Sequence, residues 1–187
     1  MSIMSVTAGL DDVHLGIGAD MDHSPRIPLT DMPPEWRSLP RLFVHQARSL
    51  RPQVAMADST GASLTFGQAL LRSVALGRVL SRQVGTSPYV GLMLPPTVPS
   101  AVANLAVSLW GKIPVNLNYT ASQELVDSSI DQCGITHVVT SSKVLDRFKL
   151  RPKGALIHLE ELPAQVTALD KAWAAMVSRF VPIPLLG

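Results

Sequence analysis

From Thr65 to about Phe180 the chain alternates helix-period and strand-like apolar segments, and this alternation limits its fold more than any other feature. Thr65-Phe66-Gly67-Gln68 opens the series. In a Thr-x-x-Gln start, the hydroxyl accepts an early backbone N–H and the amide reaches back to the cap. The helix behind it, to about Val84, is apolar at Phe66, Ala69, Leu70, Val74, Leu80 and Val84. Its Arg72, Arg78 and Arg82 read as a solvated face. Tyr89-Val90-Gly91-Leu92-Met93-Leu94 is a short unbroken apolar run, the pattern of a strand covered on both sides, and Pro95-Pro96 closes it. Over residues 97–110 only Ser100, Asn104 and Ser108 interrupt an apolar helix, so most of its surface must be covered. Ile113-Pro114-Val115-Asn116-Leu117 reads as the next strand, with Pro114 near its start, where a missing N–H is tolerated.

The cycle then repeats. Thr120-Ala121-Ser122-Gln123 predicts a second capping box, with Leu125, Val126, Ser129, Ile130 and Cys133 on one face of its helix and Gly134 as the C-cap. Residues 136–140 read as a strand, 142–148 as a short helix, 155–159 as a further strand and 164–180 as a last amphipathic helix. Short connections between such elements predict an α/β fold, with a mostly parallel sheet and helices on both faces. Ahead of it, Val54-Ala55-Met56-Ala57, the turn Asp58-Ser59-Thr60-Gly61 and Ser63-Leu64-Thr65 predict a small N-terminal hairpin. Leu42, Phe43, Gln46, Ala47 and Leu50 place one helix face before Arg51-Pro52. Residues 1–38, punctuated by Pro25, Pro28, Pro33 and Pro34, are expected to form an extended, partly mobile arm. Residues 39–180 are the α/β unit, and 181–187 an extended tail.

Composition narrows function by exclusion. The 187 residues suffice for one domain with a single core, and 47% hydrophobic against 16% charged is a globular balance. A formal charge of +2, from 16 basic and 14 acidic residues, is too even to argue for nucleic acid. Cys133 is the single cysteine, which excludes an internal disulfide framework and fits a reducing compartment. Asp11, Asp12, Asp20 and Asp22 interrupt the start, so no secretory signal is read there. The longest apolar stretch, residues 101–110, falls well short of the roughly 20 residues of a spanning helix. A soluble cytoplasmic protein is the expectation.

No residue set announces chemistry. The loop Pro95-Pro96-Thr97-Val98-Pro99 lacks the glycines that let a backbone approach a pyrophosphate, and Gly16-Ile17-Gly18 lacks a flanking strand and helix. His14, His23, His45, His137 and His158 offer no pair at i, i+3 or i+4 on one helix, so no metal pair is visible. His137 and His158 fall in strands and read as hydrogen-bonded structural residues, and Cys133 as buried and inert. Glu124, Asp127 and Asp131 read as a solvated acidic face. The one loop of interest is Asn116-Leu117-Asn118-Tyr119-Thr120, at a strand end and a helix start, where amides, a phenol and free N–H groups converge. Helix capping by Thr120, loop satisfaction by the asparagines and packing by Tyr119 account for the same residues.

Several segments, in this order and spacing, resemble the opening of the AMP-forming acyl synthetase superfamily. These are Leu64-Thr65-Phe66-Gly67-Gln68-Ala69-Leu70, the run 90–96 with the apolar helix and 111–118 behind it, and Gln123-Glu124-Leu125 followed by 132–141. Residues 111–122 are similar to the branch holding acyl-acyl-carrier-protein synthetases and the ligase portion of acylglycerophosphoethanolamine acyltransferases. The resemblance implies ATP-dependent activation of a fatty acid through an acyl-adenylate, with Mg²⁺, and transfer to an acyl carrier protein or lysophospholipid. It places the phosphate loop and catalytic lysine beyond this sequence, so it carries no catalytic, cofactor-binding or metal residue onto the chain. The expected protein is an N-terminal subdomain, inactive alone, whose partner is the remainder of the ligase. An exposed apolar face, with homodimerisation as its symptom, follows from that reading. The alternative is a stand-alone α/β binding or interaction module descended from the family.

Overall fold

The computed structural model describes residues 38–180. The expected arm and tail, Gly16-Ile17-Gly18, His14 and His23 lie outside the described residues. In chain order the elements are α1 (Leu39–Ser49), β1 (Val54–Ala57), β2 (Ser63–Thr65), α2 (Phe66–Val84), β3 (Tyr89–Leu92), α3 (Val98–Leu109) and β4 (Ile113–Asn116). They continue with α4 (Gln123–Cys133), β5 (His137–Thr140), α5 (Ser142–Phe148), β6 (Ala155–His158), α6 (Leu162–Gln165) and α7 (Ala168–Phe180).

Strands β1 and β2 form the antiparallel hairpin. Strands β3 to β6 form a parallel sheet in the order β4-β3-β5-β6. The most apolar run, β3, takes an inner place, with Val90, Gly91 and Leu92 all buried. One face is closed by α2 and α3 with Leu80, Val84, Val102 and Val107 against Val90, Leu92 and Val139. On the other face α4 and α5 bring Val126, Ile130 and Leu145 onto Leu117 and Val138. Gly91 marks the tight point of that second face: a Cβ there would lie 3.0 Å from Leu117 Cδ1 and 3.1 Å from Val138 Cγ2.

Local signals set several boundaries as the sequence predicts. Thr65 Oγ1 accepts the Gln68 N–H at 3.3 Å, and Gln68 Oε1 accepts the Thr65 N–H at 3.0 Å. Gly134 ends α4 in the left-handed conformation at φ 61°, which glycine adopts without strain. The second capping box differs. Ser122 is the N-cap, accepting the Leu125 N–H at 3.4 Å. Thr120 is held two residues earlier, where Asn118 Oδ1 accepts its N–H at 2.9 Å and its hydroxyl at 2.7 Å. The Gln123 amide is engaged across space instead, at 2.9 Å to Arg151 O and 2.7 Å from Arg151 N.

Four other expectations change once elements meet. The last helix is two helices, because Thr167 and Asp170 cap each other: the Asp170 N–H donates to Thr167 Oγ1 at 3.1 Å and the Thr167 N–H to Asp170 Oδ2 at 3.0 Å. Arg78 and Arg82 are only partly solvated, since α7 docks beside them and Asp170 receives both at 2.9 Å. Asp127 and Asp131 stay on the outer face of α4 but gain partners there: Asp127 accepts the Lys153 N–H at 3.0 Å, and the exposed Asp131 pairs with Lys153 Nζ at 2.6 Å. Cys133 is half-buried beside the second core, because it stands on the last turn of α4, where the helix leaves the sheet. Smaller shifts occur in α1, where Val44 and Ala47 are the buried pair, and in α4, where Leu125 is exposed and Val126 and Ile130 are buried.

Helices α2 and α3 approach closely because Gly77 has no side chain. A Cβ there would lie 1.8 Å from Trp110 Cδ1 and 2.9 Å from Ala106 O. The Trp110 indole donates to Val74 O at 3.4 Å and stacks on Trp173 of α7 at 5.6 Å. The Arg78 guanidinium lies 4.7 Å from the Trp173 ring centre. Charge, ring and glycine thus fix one seam. Among the described residues no helix is long and apolar enough to cross a membrane.

Candidate functional site

Parallel sheets of this kind take ligands outside the carboxyl ends of their strands, where the strand order reverses. The reversal here falls between β3 and β5, because the chain passes from β3 out to β4 and then back to β5. The base of that crevice is closed. The Met93 N–H donates to Val139 O at 2.9 Å, and the buried Thr140 hydroxyl donates to Met93 O at 2.9 Å.

An opening lies to the side of it, where the β1–β2 turn faces the start of α3 and the end of β4. It is a cleft of about 420 Å³ lined by Met56, Asp58, Leu94, Thr97, Ser100, Asn104 and Asn116 among others. The polar stripe of α3 supplies two of these. Asn104 Nδ2 donates to Asn116 Oδ1 at 3.0 Å, which leaves the side-chain oxygen Asn104 Oδ1 and the Asn116 Nδ2 group without partners among the described residues. Ser100 is half-buried beside them.

Asp58 decides the electrostatics. Thr97 stands at the N-cap of α3 in extended conformation but makes no side-chain cap. Asp58 Oδ2, reaching from the hairpin turn, accepts the Val98 N–H at 2.7 Å in its place. Its other oxygen accepts the Thr60 hydroxyl at 2.5 Å and the Thr60 N–H at 2.9 Å. The Thr60 hydroxyl, and then the Val98 N–H, hold the carboxyl below its ordinary range. A helix N-terminus attracts anions, and here a carboxylate of the chain itself already fills that place. The cleft therefore suits an uncharged group with hydrogen-bonding edges and disfavours a phosphate.

The loop 116–120 does not form a site. Asn116 turns into the cleft, Leu117 is buried, Asn118 closes a turn on Thr120, and Tyr119 packs on Phe148 at 5.1 Å. Both strand histidines are hydrogen-bonded: His137 Nδ1 lies 2.8 Å from Thr136 Oγ1 and His158 Nδ1 lies 3.2 Å from Ser142 Oγ. Glu160 completes the second group, accepting the Ser142 N–H at 2.8 Å and standing 3.9 Å from the same His158 nitrogen. A serine–histidine–carboxylate triad needs hydroxyl and carboxylate on opposite ring nitrogens, so this is a cap and not a nucleophile. No group of three metal-ligating side chains occurs among the described residues. The sequence reading missed Asp58, whose role exists only when the hairpin turn meets α3, 40 residues on.

The sequence profile described as AMP-binding enzyme matches residues 43–179. Among solved structures, the fold is similar to that of the Klebsiella oxytoca NpsA N-terminal subdomain, at TM-score 0.61 and 14% identity over 70% of this chain and 33% of that one. It is also similar to NpsA-ThdA from Klebsiella oxytoca, an artificially fused adenylation–PCP di-domain, at TM-score 0.59 and 15% identity over 68% and 24% of the two chains. The third is the nonribosomal peptide synthetase FmoA3 in its α-methyl-L-serine-AMP bound form, at TM-score 0.57 and 20% identity over 66% and 14%. The chain thus spans about a third of the NpsA subdomain. At these identities the likeness carries the fold: a parallel sheet flanked by helices with a small hairpin, as in an adenylation N-terminal subdomain.

Proposed function

Because the chain belongs to the AMP-binding enzyme family, we propose that it is the N-terminal part of an ATP-dependent acyl-activating enzyme and supplies its scaffold and one uncharged wall of the acyl site. The observation that carries this is the cleft beside β4. Its lining is amide, hydroxyl and apolar, and its one helix N-terminus is already neutralised by Asp58. Such a wall suits the acyl portion of a substrate. It does not fit the cofactors the family implies: ATP with Mg²⁺ needs strong phosphate neutralisation, and the described residues offer no cluster for the metal. No chemical step is assigned to this chain.

In the enzyme so completed, the acid is a fatty acid, as the wording of residues 111–122 supports, and the acceptor is an acyl carrier protein or a lysophospholipid. The similar structures include the NpsA N-terminal subdomain in complex with 3-hydroxybenzoyl-AMSN and FmoA3 with α-methyl-L-serine-AMP, so an aryl or amino acid is the competing substrate class. The test is ATP–pyrophosphate exchange with the pure 187-residue chain, using fatty, aryl and amino acids in turn. No exchange is expected with any of them. Robust exchange with a fatty acid overturns the fragment reading; exchange with an aryl or amino acid overturns both that reading and the substrate class.

A further inference from the structure

A second concavity lies on the opposite side of α3. It is a groove of about 550 Å³ between α2, the start of α3 and the β6–α6 connection, with walls that include Leu71, Val102, Leu159 and Val166. Two charged side chains line it, Arg72 of α2 and Lys171 of α7, and neither has a carboxylate partner among the described residues. The neighbouring acid, Asp170, is buried and already bound to Arg78 and Arg82, so it does not offset them.

We infer that this groove binds a free long-chain carboxylate, with the alkyl chain along the apolar walls and the headgroup on Arg72 and Lys171. Size and charge together choose the occupant. The volume falls in the range of small-molecule sites, roughly 300–1,000 Å³. A stable protein partner needs about 800 Å² of surface on each side, more than such a groove offers. Apolar walls alone would accept any hydrocarbon, whereas two unpaired cations select an anionic end. Asp58 sets the contrast, because its carboxylate makes the first cleft unfavourable to an anionic headgroup, though not to an uncharged acyl portion. The inference goes beyond the proposed function and does not depend on it. An aryl or amino acid substrate for the whole enzyme would leave it standing.

The experiment is equilibrium dialysis of the full chain with laurate, below its micellar concentration, against dodecanol and dodecyltrimethylammonium. Saturable binding of one laurate per chain is expected, at least tenfold tighter than dodecanol, with no saturable binding of the cation. Arg72→Gln and Lys171→Gln together should weaken laurate at least tenfold and leave dodecanol unchanged. Equal binding of all three amphiphiles, or laurate binding indifferent to the double substitution, overturns the inference. So does binding to phosphatidylglycerol vesicles without binding of free laurate, which would make the patch a membrane contact. A change from dimer to monomer on Leu71→Asp, without laurate binding in the parent, would assign the groove to a second copy and also overturn it.

Discussion

The seam between α2 and α7 and the cleft beside β4 both contain polar side chains, yet they treat them oppositely. In the seam, among the described residues, no buried side-chain polar atom is left without a partner. Asp170, 1% exposed, takes both arginines and the Thr167 cap, and Trp110 donates to Val74 O. In the cleft, Asn104 and Asn116 satisfy each other at one bond and keep the rest of their capacity open. A fully satisfied polar network fixes one arrangement of helices, while half-satisfied amides at a strand end are free to bind something. Fully paired and half-paired polar groups thus lie in different parts of one small fold.

Leu70→Ala should do the most damage, because Leu70 is fully buried where α1, α2 and α7 meet. A loss of about 2–5 kcal/mol is expected, read from the urea midpoint. A loss below about 1 kcal/mol would mean the seam is not a packed core. Gly77→Ala comes next. In an ordinary helix this change stabilises, but here the new methyl meets the Trp110 indole, so a net loss of about 1–3 kcal/mol is expected. Thermal melts with tryptophan fluorescence as the probe would detect it, and a gain in stability would show that α2 and α3 do not approach so closely.

Asp170→Asn tests the charge in the seam and should cost less, since Arg78 and Arg82 are 33% and 50% exposed and water screens both. The Arg82 hydrogen bond, with the Thr167 N–H, lowers the Asp170 carboxyl from 3.8 to about 2. A depressed acid stabilises the fold fully above 3.8 and ceases to do so as pH falls through about 2. Acid titration of stability should therefore show a loss in that window that Asp170→Asn lacks; identical acid limbs in the two proteins would remove the ion pair from the account. Asn104→Ala should have the smallest effect, within about 0.5 kcal/mol of the parent. A core-sized loss would erase the distinction between cleft and seam.

Much of the architecture was legible beforehand. The Thr65–Gln68 capping box and Gly134 are local signals that set in the structure the boundaries they predict, and the apolar run from Tyr89 gives β3, which ends at Leu92, two residues before the run does. Thr167-Ala168-Leu169-Asp170 carries a similar signal, and reading it would have split the last helix in the right place. The candidate site was less legible. Ser100 and Asn104 stood out as a stripe, but their neighbours Asp58 and Asn116 arrive from other elements. Pattern also left the partners of Arg78, Arg82, Asp127 and Asp131 unseen, because a charge that finds its partner 22 to 92 residues away looks the same in sequence as one facing only water. The expected outward apolar face has a counterpart on α7, where Leu169, Met176 and Phe180 stand 78%, 50% and 74% exposed.

By itself the sequence determined the order and type of most elements, that the main sheet is parallel, and which family the motifs resemble. Periodicity and capping act over a few residues, so a linear reading captures them. The tertiary structure alone decided that α7 lies on the arginines of α2, that Asp58 occupies the N-terminus of α3, and that two concavities of opposite electrostatic character flank that helix. Those outcomes depend on which surfaces meet once burial of the apolar faces has chosen the packing, and no local pattern in the chain encodes them.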